Sequence, residues 1–168
     1  MKKRHTAVKL TGLSRIHLLF LVGVEMVLLS CCGIPDNFPS LSLANKISTY
    51  ACYLNTYGRP RRYARSWISW HGWSAADLMS EYLSGTKTGF PKSEAIEIID
   101  LVQVRGCPLR GTAAEKALEH FTQSEPAGSL DNLIAKSALD SIRRNVVTPG
   151  GPDHLRGGPC QEAHGSRP

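Results

Sequence analysis

The chain has 168 residues, with 20 lysines and arginines against 14 aspartates and glutamates, a formal charge of +6. That length leaves room for one modest hydrophobic core and argues against a second domain. The charge is a poor sign of a nucleic-acid partner. Without the five basic residues and one acid of residues 1–30, the body holds 15 basic against 13 acidic residues, a net of only +2, so a polyanion would have to meet a local patch.

Lys2, Lys3, Arg4, Lys9 and Arg15 precede an apolar run over residues 16–31, IHLLFLVGVEMVLLSC, in the order of a secretory leader. A stable spanning helix needs about 20 mostly apolar residues. This run turns polar at Ser30 and carries Glu25 inside it, which favours a signal peptide over residues 1–30 that is removed. Leu28-Leu29-Ser30-Cys31 resembles the lipobox of bacterial lipoproteins, in which Leu stands three before Cys and a small residue directly precedes it. Leu29 is bulkier than that pattern's usual residue, and His17 and Glu25 are more polar. The resemblance implies that Cys31 becomes the lipidated first residue, with the membrane as a partner and the body facing the periplasm or exterior of the cell envelope. An uncleaved anchor and a cytosolic start at Met26 remain the alternatives.

The cysteines are Cys31, Cys32, Cys52, Cys107 and Cys160. They form no C-x-x-C and no His-spaced pair, so no metal site is expected. With Cys31 taken by lipid, four remain, and three connectivities are open. Cys52 with Cys107 is the expected disulfide, joining the two body cysteines that lie in or beside helices; ordinary thiols are the alternative.

Residues 31–42 include GIPDNFPSLS, whose prolines, Asp-Asn pair and serines suit a short tether. From Leu43 to Tyr57 the positions of Leu43, Ile47, Tyr50, Ala51, Leu54 and Tyr57 approach helical spacing, with Gly58 and Pro60 as the stop; a strand is the alternative. RPRRYARSWISWHGWS follows, with Arg59, Arg61, Arg62 and Arg65 ahead of Trp67, Trp70 and Trp73. Three-residue spacing would align the indoles along one side of a helical turn. A packed aromatic stripe, a membrane-interface element, a protein interaction surface and a nucleic-acid contact are the four readings of this segment.

Ser74 and Gly85 bracket a helix expected over residues 75–84. Pro91 suits the start of KSEAIEIIDLVQVRG. There Glu94, Glu97, Asp100 and Gln103 step by three while Ala95, Ile96, Ile98, Ile99, Leu101, Val102 and Val104 fill the rest. This reads as a helix at the centre of the core with one narrow solvated stripe. Thr112 and Glu115 fit a capping box ahead of Ala114, Ala117, Leu118 and Phe121. Ser129 caps a last helix whose apolar face is Leu130, Leu133, Ile134, Ala138 and Ile142. Residues 148–168 are rich in Gly, Pro and polar side chains and too poor in apolar mass to offset the entropy of ordering, so a disordered tail is expected.

Chemistry is scarce. Cys107 with His71 or His120 is the only thiol pair to weigh, and Glu94, Glu97 and Asp100 the only carboxylate series. Phosphate loops and a serine nucleophile elbow are absent from the sequence. The expectation is an all-α body, a small bundle of four or five short helices over residues 43–147. It would be no enzyme, would need no cofactor, and would act as an envelope-anchored binding module toward a protein partner through Arg59 to Trp73. The rival is a cytosolic helical module starting at Met26 that touches nucleic acid through its arginines.

Overall fold

Ser42 opens the first long helix: its side chain accepts the amide of Asn45 at 3.3 Å, satisfying one of the donors that a helix start leaves free. The computed structural model describes residues 33–147 and Cys160. Among these are a 3-10 turn at Phe38–Ser40 and six α-helices: α1 Leu43–Tyr57, α2 Arg62–Ser69, α3 Trp73–Leu83, α4 Lys92–Val104, α5 Ala113–Ser124 and α6 Leu130–Arg143. No strand occurs among the described residues, and the fold is an all-helical bundle. None of its helices is long and apolar enough to cross a membrane.

The bundle has one helix more than expected because the arginine and tryptophan segment is broken in two. α2 stops at Ser69, and Gly72 stands before α3 with φ of +54°. A side chain at that angle is strained, so the Trp-His-Gly-Trp sequence turns a corner instead of extending one helix.

Helix α4 is the axis, packing against α3, α6 and α2. Ala95, Ile96, Ile98, Ile99 and Val102 are fully buried, as the narrow polar stripe implied. The stripe itself is solvated only in part, with Glu97 keeping 39 % of its side chain exposed. Gln103 is 0 % and Glu94 6 % exposed, and Asp100 keeps Oδ1 buried without a hydrogen-bond partner. Burial of polar atoms is tolerated where partners arrive, and two of these residues receive them. The Gln103 side chain accepts the amide of Leu109 at 3.0 Å and donates to Asn145 Oδ1 at 3.3 Å, fixing the loop after α4 and the end of α6. Glu94 is met from α1 and α2, as described below.

Two further details differ from the sequence reading. The Thr112 capping box does not form: Thr112 Oγ1 donates to Leu109 O at 2.6 Å, and Glu115 accepts the amide of Gly111, one residue earlier than the motif requires. The buried face of α6 is Asn132, Ala135, Ala138, Leu139 and Ile142, whereas Leu130 and Leu133 are 71 % and 54 % exposed. Asn132 explains the rotation, since its side chain turns inward to donate to the carbonyls of Thr122 and Glu125 at 2.8 and 3.3 Å. Ser129 caps α6 as expected, accepting the amide of Asn132.

The expected tether is instead part of the body. Phe38 is fully buried, Ile34 and Leu41 pack on the core, and the compact unit begins at Ile34. The apolar cost of leaving a phenyl ring in water outweighs the looseness that the flanking prolines suggest. The expected Cys52 with Cys107 disulfide is also corrected: Cys107 bonds Cys160, with Cα atoms 5.0 Å apart. Cys52 is disulfide-bonded too, and its partner lies outside the described residues. Helix α1 packs chiefly on α2, whereas Cys107 sits in the loop after α4, and sequence position carries no measure of such a separation. Cys160 is 3 % exposed, so the tail is pinned at this point; the remainder of residues 148–168, like the leader and Cys31, lies outside the described residues.

Candidate interaction surface

The seven basic and aromatic residues singled out by sequence do not form one patch. Arg65, on α2, faces inward: Nε and Nη2 donate to the two Glu94 oxygens, each at 2.6 Å, and Nη1 lies 3.4 Å from Glu97. This fork on a carboxylate is the strong form of an ion pair, and the hydrogen bonds to Glu94 raise the Arg65 pKa. Tyr50 on α1 donates its hydroxyl to Glu94 at 2.7 Å and accepts the backbone amide of Arg61 at 3.0 Å. Burial first, and the Glu94 charge with it, pushes the Tyr50 phenol up to about 12. One buried carboxylate thus ties α1, α2 and α4 together.

The indoles are also largely committed to packing. Trp67 and Trp73 pack on the core, and Trp67 and Trp70 meet edge to face at 6.5 Å. Arg105 lies 6.0 Å over the Trp70 ring while donating to Ser66 O and Oγ at 2.8 and 2.6 Å. Trp73 Nε1 donates to Pro108 O at 3.4 Å, beside the Cys107 disulfide. The packed stripe weighed from the sequence is therefore what the three tryptophans form, split across the α2 and α3 corner instead of aligned on one helix.

What remains outside is residues 57–63, every one of them exposed. Arg59, Arg61 and Arg62 pair with no carboxylate among the described residues. Arg61 is oriented by Tyr53, donating Nε to its hydroxyl at 2.6 Å and lying over its ring at 5.3 Å. Tyr57 and Tyr63, 47 % and 50 % exposed, stand at either end of this link. Tyr63 escaped the sequence reading because the adjacent tryptophans dominated it, and Tyr57 was placed on the core side of its helix.

A second cluster was not anticipated at all. Lys46, on α1, is 3 % exposed. Its Nζ donates to Leu41 O and lies 3.1 Å from His71 Nε2, a contact that a neutral imidazole with an unprotonated Nε2 accepts. Burial lowers the pKa of both groups, and the Lys46 charge lowers that of His71 further.

The catalytic candidates resolve differently. Cys107 is held in a disulfide and is no free nucleophile toward His71 or His120. Glu94 and Glu97 converge on Arg65 instead of on an open cleft. No group of three His, Cys, Asp or Glu side chains among the described residues is placed to hold a metal ion. None of the protein-family models, curated proteins or solved structures compared with the chain matches it.

Proposed function

We propose that the protein is an exported lipoprotein of the cell envelope that works by binding, held to the membrane by lipid on Cys31 and presenting the link between α1 and α2. The observation that carries this reading is the state of the described cysteines: Cys52, Cys107 and Cys160 are all disulfide-bonded. Disulfides persist in oxidising compartments and are rare in the cytosol, which favours export over the cytosolic start at Met26. Of five cysteines, Cys107 and Cys160 take each other, so lipid on Cys31 would leave Cys32 as the cysteine available to Cys52. Binding over turnover is supported by the commitment of the inward-facing ionisable groups Glu94, Arg65 and Tyr50 to one another.

Mass spectrometry of the intact N-terminus, with peptide mapping under non-reducing conditions, tests the proposal. The expected result is an acyl adduct on a chain beginning at Cys31, together with a Cys32 to Cys52 linked peptide. A chain beginning at Met1 or Met26, or a Cys31 to Cys52 linkage that occupies the acceptor thiol, overturns it.

A further inference from the structure

We infer that the exposed link of residues 57–63 is a contact for the headgroups of anionic phospholipids, seating the body directly on the membrane; this rests on the envelope reading above. Charge distribution is the first support. Between Asp36 and Asp77 the sequence has no acid and five basic residues, Lys46, Arg59, Arg61, Arg62 and Arg65. The small positive charge of the body is therefore uneven along the chain: +5 over residues 37–76 against −3 over the rest of residues 31–168. Lys46 is buried and Arg65 is neutralised by Glu94. Within this segment, the charge left without a carboxylate partner is that of Arg59, Arg61 and Arg62, flanked by two half-exposed tyrosines whose amphipathic rings suit the headgroup level.

Chain connectivity is the second support. Phe38 is docked with its ring 6.4 Å from that of Tyr63, and only the seven residues 32–38 lead to it from Cys31. At full extension those residues span about 25 Å, so a lipid on Cys31 holds the arginine link within reach of the bilayer surface. Because the leading segment is folded into the body, little slack remains to hold this face away. An acidic protein fits less well, since a stable protein interface takes about 20 to 30 residues a side around an apolar centre. This link offers seven residues, and Trp67 and Trp73 nearby are packed on the core. Nucleic acid is disfavoured by the disulfides.

The test is flotation of the full-length protein, wild type and Arg59→Gln/Arg62→Gln, with vesicles of phosphatidylcholine alone or mixed with phosphatidylglycerol. Neither arginine makes an ion pair within the described body, so the thermal midpoint should be unchanged. Wild type should favour the anionic vesicles, and the variant should lose roughly fivefold of that preference per arginine, with added salt erasing the difference. An equal anionic preference in the variant and wild type overturns the inference. So does an absence of lipid preference coupled with arginine-dependent capture of a polyglutamate peptide, which would assign the link to an acidic protein. Failure of the anchor reads separately: a chain without an acyl adduct that still shows the arginine-dependent preference removes the lipoprotein reading and leaves the headgroup contact standing.

Discussion

Arg65 grips Glu94 through two hydrogen bonds of 2.6 Å across 29 residues of sequence, with 14 % and 8 % of the two side chains exposed. A pair this enclosed contributes little beyond an apolar substitute of the same volume, but it is expensive to break on one side. Glu94→Ala leaves a guanidinium and the Tyr50 hydroxyl without their acceptor, and should cost about 3 to 5 kcal/mol. Arg65→Met/Glu94→Leu should recover most of that loss. Urea unfolding of the two variants checks the prediction, which fails if the single and double changes are equally destabilising.

Stability should depend on pH through His71 and Asp100 with opposite signs. The His71 pKa lies below its ordinary 6.5 in the folded chain, because of burial first and then Lys46, so the unfolded chain binds the extra proton. Its contribution to stability is complete above 6.5 and is lost as pH falls through that value toward the folded pKa. His71→Gln should flatten the slope in this window. Burial raises the Asp100 carboxyl above its ordinary 3.8. There the folded chain holds the proton longer, and stability falls as pH rises from 3.8 through the folded value. Asp100→Asn should raise the thermal midpoint at neutral pH and change it little in strong acid.

Opening the Cys107 to Cys160 bridge should be costly, since it closes 53 residues of chain. In the chain-entropy account a loop of that length is worth about 4 kcal/mol. Cys160→Ser should lower stability by that order under oxidising conditions and have no added effect once wild type is fully reduced. Calorimetry with and without a phosphine reductant reads both.

The two apolar helices should respond unequally to truncation. Ile99→Ala, at a fully buried position on α4, should cost about 2 to 5 kcal/mol. Leu133→Ala, on the exposed side of α6, should change stability by no more than about 0.5 kcal/mol. Chemical denaturation midpoints for the pair check the orientation of α6 directly.

Local patterns carried much of the architecture. The density of isoleucine around α4 marked it as the centre, Ser129 marked the start of α6, and Gly85, with φ of +81° just past α3, marked a helix end. These features depend on neighbours within a turn or two. What was illegible depends on distant chain. A three-residue polar period shows which face of α4 is polar, but Arg65 and Tyr50 come from elsewhere to satisfy Glu94, so a position read as wet is dry. The same holds for Leu130 and Leu133, where Asn132, reaching for carbonyls at the end of α5, decides which side turns inward. The candidate surface was over-read for the same reason. Seven residues of matching chemistry sat together in sequence, and packing withdrew Arg65 and tucked most of the indole surface away.

The burial of Phe38 beneath Tyr63 sets a limit on where the molecule can be cut. A fragment trimmed back to Leu43 would carry a ring-sized hollow beside α2 and lose the Ile34 and Leu41 side chains that pack on the core, so a self-sufficient piece has to keep the stretch from Ile34 onward.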